Sequence, residues 1–406
     1  MDRPMKIKPN EMTKLLEKLN TIGFLFGLKY IWITDIKLSK RFIYIYKIVN
    51  CVIDIINLFF VMSILGSFFT QKNLSEKQAS DRLIFGIVLP GNVIMYYISV
   101  FYEQETRDLL YYLVVVLKER HNDVHLERDM IKQIKMFSIT LSGLVAMVAV
   151  LYGLSALYRV LTAGENFVTI TSAWPDVHDK STAAGVMRVF FFLWWFPFVG
   201  RIMFAFLILV TMLISICYQF KNLQNYFYSL NKIFSDETLS QVEKEEKYEQ
   251  AFKVGIQMHS LTLWCKKQHQ RVSKEMFAVE IIVFFGMLLT QLAHLLVGTN
   301  VVILLSLVSL VLPFCFTISM ILICTFFSSN NKKLQASKLS EAMYSSGWQN
   351  CYGKSSIRIR KLVVNAMRQA QEPVVYKTLG VVEFSYKTYV SVSVLPNYLH
   401  SIHSKS

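Results

Sequence analysis

The stretch Val189–Cys217 reads VFFFLWWFPFVGRIMFAFLILVTMLISIC, 29 residues with a single charge, Arg201. A helix needs about 20 mostly apolar residues to cross the ~30 Å hydrocarbon core of a bilayer, and this run exceeds that. Six others pass the same test: Phe42–Phe69, Arg82–Tyr102, Ile134–Leu161, Met276–Val297, Val301–Phe327 and Val374–Ile402, the last being the least apolar. Leu109–Leu117 is only nine residues long and reads as a helical continuation of the second run outside the bilayer. Only 17% of the 406 residues are charged and 53% are hydrophobic, which excludes an ordinary soluble chain (about 25% charged) and a disordered one. The expectation is an all-α, polytopic membrane protein with seven transmembrane helices.

The net charge of +15 is the odd part, since such an excess usually points to nucleic acid or an anionic surface. Its distribution decides otherwise. Of the 43 Lys and Arg, 32 fall in the N-terminal segment through Arg41 and in the loops after the second, fourth and sixth runs. Cytoplasmic loops carry such an excess, so the N-terminus is expected inside and the C-terminus outside. The only N-x-[ST] sequon, Asn73-Leu74-Ser75, falls in the first outer loop, making Asn73 a candidate glycosylation site. The expected organisation is a cytoplasmic segment 1–41 and helices 1–4 over 42–217. A cytoplasmic helical loop 218–275 leads to helices 5 and 6 over 276–327. An anchor segment 328–373, a last helix 374–402 and an outer tail 403–406 complete the chain. Glu-Lys patterning around Glu243–Glu249 extends helices 4 and 5 into the cytoplasm, to pack with Ser355–Gln371.

Charges inside spans are costly unless paired or wetted. Lys47 and Asp54 share a face of the first span, Glu383 and Lys387 are i,i+4 in the last, Glu280 lies near the inner end of the fifth, and Arg201 has no sequence-local partner. These residues mark either an ion path or structural pairing. His121 and His125 frame Asp123 in a loop, a spacing open to a metal or simply to solvent. No metal site, cofactor fingerprint or catalytic constellation emerges, and the six cysteines show no C-x-x-C spacing, so no enzyme is expected.

Two patterns point to function. Ser385, Tyr389, Ser393, Asn397 and Ser401 recur at four-residue steps, a polar stripe that either packs against other helices or lines water. Aromatic residues crowd the outer halves of spans 3 and 4, around Tyr152, Tyr158, Trp194 and Phe198, beside the small Ser155. That density fits an interfacial belt or the wall of a cavity for an apolar ligand.

The C-terminal third carries a resemblance. Ala342-x-Tyr344-x-x-x-Trp348, Arg368-x-x-Gln371-x-Pro373 and Phe384-Ser385-Tyr386-Lys387-Thr388-Tyr389 resemble motifs of insect odorant receptors, and the seven-span, N-inside layout agrees over the whole chain. Thr378-Leu379-Gly380 departs from the family's Thr-Ala-Gly, and the ending Leu395-Pro396-Asn397-Tyr398 from its Ser-Tyr-rich finish. Thr388-Tyr389 is also similar to the gustatory-receptor signature, but no Gln-Phe follows. The loop after span 4 lacks the insertion expected of the shared olfactory co-receptor.

The resemblance implies an odorant-tuning subunit of a ligand-gated, non-selective cation channel in a sensory neuron's plasma membrane, assembled as a tetramer with the co-receptor. It implies a small volatile ligand held by Tyr152, Ser155, Tyr158, Trp194 and Phe198. It turns the stripe of Ser385, Tyr389, Ser393, Asn397 and Ser401 into a pore lining with its constriction near Ile402. No nucleic-acid partner and no cofactor are implied. A gustatory-type channel, a G-protein-coupled receptor and a transporter are the alternatives. An epitope tag at Met1 is expected to be labelled only after cells are permeabilised; labelling of intact cells would reverse the orientation and revive the G-protein-coupled class.

Overall fold

The computed structural model describes residues 10–28, 39–297, 338–371, 377–378 and 382–383. Its elements are nearly all helical: α1 Glu11–Leu25, α2 Lys40–Thr70, α3 Glu76–Phe101, α4 Glu103–Tyr111, a π-turn Tyr112–Val116, α5 Leu117–Arg120, α6 Val124–Ala163, α7 Thr182–Leu230 and α8 Gln241–Val297. Helix α9 spans 338–344 and α10 spans Ser356–Ala370. Among the described residues, four helices are long and apolar enough to cross a membrane by length and composition: α2, α3, α6 and α7 with its 3-10 extension to Ser235. Helix α8 carries the fifth apolar run, Met276–Val297, at its C-terminal end. The sixth run, 301–327, and nearly all of the seventh lie outside the described residues.

Why these helices bundle as they do follows from their faces. The apolar window of α7 is 89% buried, against 22–33% for α2, α3 and α6, so α7 is the central helix and the others surround it. Phe42, Ile45, Ile55, Phe59 and Met62 of α2 and Ile139, Leu157 and Leu161 of α6 are exposed. Apolar surface on that scale is not kept in water by a monomer; here it marks the lipid- or partner-facing side. Helices α3 and α8 run antiparallel and approach closely because Gly91 faces Val283, where an added Cβ would overlap the valine side chain.

Helix α1 was not anticipated, since its segment reads as polar. Asn10 and Thr13 form a reciprocal cap, and Met12, Leu15, Leu16 and Leu19 bury one stripe against the bundle. The short Leu109–Leu117 run is split by the π-turn, with Leu109, Leu110, Leu113 and Leu117 in the core. The expected last helix from Val374 also needs correction at its four described positions. Lys377 and Thr378 pair antiparallel with Glu383 and Val382 as two-residue strands β1 and β2. Pro373 just upstream, Gly380 between the strands and β-branched Thr378, Val381 and Val382 all lower helix propensity there.

Two of the charges inside spans, Arg201 and Asp54, are partners that the sequence could not assign. Arg201, 2% exposed, donates from Nη1 to Asp54 Oδ1 of α2 at 2.5 Å and from Nη2 to the Gly27 carbonyl after α1 at 2.8 Å. Its guanidinium also lies 4.2 Å from the Tyr96 ring of α3. Gly27 has φ +87, and a Cβ there would come within 2.7 Å of Asn50 Oδ1, so the turn that delivers this carbonyl requires glycine.

Beyond the apolar runs, α7 and α8 continue as helices, and α8 packs with α10. The buried Glu245 of α8 accepts from Tyr352 N at 2.9 Å, Gly353 N at 2.7 Å and the Ser355 hydroxyl. Glu249 pairs with Arg358 and, at 2.8 Å, Lys253. Burial alone would raise both carboxyls, yet these bonds hold them below the usual range. The Tyr248 hydroxyl lies 2.5 Å from that of Ser346.

Asp54→Ala is expected to lower stability by about 3–5 kcal/mol, because it strands a buried guanidinium; thermal unfolding of the detergent-solubilised protein measures this. Arg201→Lys alone should also lower stability, one ammonium being unable to fork to Asp54 and Gly27 together. Burial also pushes His259 and His269 of α8 down to about 4. Below pH 6.5 the unfolded chain therefore binds protons that the folded chain refuses. Stability is expected to hold above pH 6.5 and to fall from there toward pH 4, with the fall reduced in His259→Gln.

Candidate functional site

Helices α3, α6, α7 and α8 enclose a cavity of about 150 Å³. Its lining follows helical spacing: Ile84, Phe85, Val88, Asn92 and Met95 on α3, and Leu141, Val145, Val148 and Tyr152 on α6. Trp195, Val199, Ile202, Met203 and Phe206 come from α7, and Glu280, Val283 and Met287 from α8. Steps of three and four place each set on one face of its helix. From Tyr152 to Leu141, and from Trp195 to Phe206, the cavity runs about 16 Å along the helix axes at 1.5 Å per residue.

One end is closed by three rings in edge-on contact. Phe85 lies 5.5 Å from both Tyr152 and Trp195, which are 5.7 Å apart. The Tyr152 hydroxyl is hydrogen-bonded to the buried Asp81 of α3. Beside it Lys77 Nζ donates to Ser155 Oγ at 2.7 Å, and Arg159 reaches the Val168 carbonyl at 3.1 Å and Glu165 at 3.8 Å. The far end holds Phe206, whose ring is 6.3 Å from that of Phe277, and Glu280. Glu280 Oε2 is buried with no hydrogen-bond partner among the described residues.

Of the five residues expected to hold a ligand, only Tyr152 lines this cavity. Ser155 is one turn further out and bound to Lys77. Tyr158 is 68% exposed on the outer surface of α6. Trp194 and Phe198 point toward α2 instead: Trp194 Nε1 donates to Asn57 Oδ1 at 2.9 Å, and Phe198 packs edge-on against Phe60 at 5.8 Å. The aromatic density falls on helices that line the cavity, but mostly on their other faces. Adjacent helical residues differ by 100° in direction, so Trp195 replaces Trp194 and Val199 replaces Phe198 in the lining. The missed signal was the match between three- and four-residue spacings on α3, α6 and α7.

The remaining candidates are placed as follows. Asn73 is exposed in the turn before α3, with its carbonyl 3.3 Å from His178. Asp123 caps α6, accepting from His125 N at 3.0 Å and Leu126 N at 3.3 Å, while His121 packs on Tyr226. Ser385, Tyr389, Ser393, Asn397, Ser401 and Ile402 lie outside the described residues.

Long apolar helices around a mostly apolar cavity are the features of a helical membrane protein. The sequence profile of the 7tm odorant receptor family matches residues 117–394, and the chain belongs to that family. No curated protein matches its sequence. In fold it is similar to the insect olfactory receptor OR5 from Machilis hrabei. In complex with eugenol that structure gives a TM-score of 0.75 at 14% identity, covering 97% of this chain and 98% of that one. A second structure of the same receptor gives 0.74 at 13% identity, covering 96% and 97%.

Tyr152→Phe is expected to cost about 1–3 kcal/mol by leaving the buried Asp81 without its phenol partner. Thermal unfolding of the purified protein reads this, and an unchanged midpoint would deny the hydrogen bond its role in closing the cavity.

Proposed function

We propose that this odorant receptor is a tuning subunit of a ligand-gated, non-selective cation channel. It assembles as a tetramer with an olfactory co-receptor in the plasma membrane of a sensory dendrite. The observation that carries the reading is the cavity between α3, α6, α7 and α8 in a chain of this family. Seven spans, with the N-terminus inside and the C-terminus outside, are supported by the apolar runs and by the 32 cations on one side.

In this orientation the Phe85–Tyr152–Trp195 end of the cavity faces outward and Glu280 inward. A volatile ligand enters the cavity, and dispersion against its Val, Ile and Met side chains supplies most of the affinity. Eugenol, held by the Machilis receptor, is a natural first member of a ligand panel. The last helix, carrying Ser385, Tyr389, Ser393, Asn397 and Ser401, lines the pore, with the constriction at Ile402. Ligand opens that pore only by binding the open conformer more tightly than the closed one.

Co-expression with an olfactory co-receptor under voltage clamp, with a panel of volatiles, tests the reading. Silence to all volatiles, with current evoked by a soluble tastant without co-receptor, would move the protein to the gustatory type. Uptake without conductance would make it a transporter. Among responding ligands, Tyr152→Ala is expected to change the rank order and Val148→Trp to abolish current at normal surface expression. Tyr158→Ala, outside the cavity, should leave the ranking as it is.

A further inference from the structure

We infer that the cavity selects molecules bearing a hydrogen-bond-donating head, a hydroxyl or an amine, and seats that head against Glu280 of α8 beside Asn92 of α3. The inference rests on the proposal that this cavity is the odorant site, and it names the ligand class and the residue that reads it.

Apart from Asn92, Glu280, the Tyr152 hydroxyl and the Trp195 indole, the cavity wall is hydrocarbon, aromatic ring and thioether. Tyr152 is already committed to Asp81. Trp195 Nε1 is buried and without a hydrogen-bond partner among the described residues, but it is a donor and reads only an acceptor. Glu280 differs from both. It has no ion pair and no hydrogen bond among the described residues, and its Oε2 is buried. A carboxyl in such surroundings costs several kcal/mol unless something satisfies it, so an unpaired one facing a cavity is a functional group by default. Every other buried carboxylate discussed above has partners in the chain itself: Asp81 with Tyr152, Glu245 with the 352–355 backbone and hydroxyl, Glu249 with Arg358. The partner Glu280 lacks is one the cavity can admit.

The register of α3 against α8 places a second polar group at the same depth. Gly91 meets Val283 where the antiparallel helices touch. Moving inward from that contact, Asn92 is one residue along α3 and Glu280 three along α8, about 3 Å apart in height at 1.5 Å per residue. Asn92 also makes no hydrogen bond among the described residues and offers both a donor and an acceptor. A hydroxyl or amine at this level donates to the carboxyl, and a hydroxyl can accept from the Asn92 amide. From there to Phe85 the wall is apolar for about 10 Å, seven residues of α3. The fitting ligand is thus a straight apolar body with one donor head.

Three probes with the same number of heavy atoms separate shape from donation: octan-1-ol, octylamine and heptyl methyl ether. Wild-type receptor, co-expressed with a co-receptor, is expected to respond to the alcohol or the amine at about tenfold lower concentration than to the ether. In Glu280→Leu that preference should vanish while the ether response persists, which also shows the variant to be folded. Glu280→Gln, which keeps an acceptor, should retain the alcohol preference and weaken any preference for the amine. Equal sensitivity of the wild type to all three probes overturns the inference and leaves the cavity as the odorant site. A preference that survives Glu280→Leu overturns it as well. If Glu280→Leu does not reach the surface, the wild-type ranking and Glu280→Gln decide. A wild type silent to every volatile removes the parent reading and this inference with it.

Discussion

Arg201 occupies the middle of an apolar run where an unpaired charge would cost several kcal/mol, and its partners come from three other parts of the chain. Asp54 of α2 neutralises it, the Gly27 carbonyl after α1 accepts its second nitrogen, and the Tyr96 ring of α3 covers its face. Because α7 is the buried central helix, this one planar cation fixes the depth at which α1, α2 and α3 meet it. A rotation of α7 by a single residue would swing the guanidinium about 100° away from all three partners. The same rotation would carry Trp194 to the place of Trp195, so the faces that line the cavity depend on the phase that Arg201 sets.

The cavity is where α3, α6, α7 and α8 fail to pack completely. Valines, isoleucines and methionines leave room between helices that Phe85, Tyr152 and Trp195 close at one end. Elsewhere on the α3–α8 contact Gly91 and Gly286 let the backbones close up, with Ile84, Val88, Val283 and Met287 in one cluster. Close approach and open space thus alternate along the same pair of helices. A polar cluster of Lys77, Asp81, Ser155 and Arg159 lies beyond the end closed by the three rings.

How much of this the sequence disclosed depended on the kind of signal. Apolar runs made α2 legible nearly end to end and marked the middles of α3, α6 and α7, whose helices continue for further turns, and the Glu-Lys segment foretold that α8 would run on and meet the 355–371 region. Long-range pairing was out of reach. Nothing local links Arg201 to Asp54, 147 residues away, or Glu245 to Gly353. Helix phase was readable in principle, but aromatic density outweighed spacing, and Trp194 and Phe198 lie on the side of α7 that faces α2 and not on the cavity side. Helix α1 was hidden because charged residues dilute its buried stripe; its reciprocal Asn10–Thr13 cap was the visible clue. At Lys377–Glu383 apolar content suggested a helix where proline, glycine and β-branched residues favoured extended chain.

Helix α8 is unbroken from Gln241 to Val297, with the cavity at one end and the Glu245–Glu249 grip on the chain before α10 near the other. From Glu280 to Glu245 the distance along it is about 50 Å at 1.5 Å per residue. Treated as a stiff beam pivoting near the cavity, it acts as a mechanical amplifier: a tilt of about 5° would sweep the gripped end through roughly 4–5 Å, close to one helical pitch. A side-chain adjustment too small to notice around a bound molecule would therefore arrive at the far end as a displacement on the scale of an interface. The leverage is set by helix length alone, and a proline kink placed between Gln257 and Phe277 would dissipate it without touching either end.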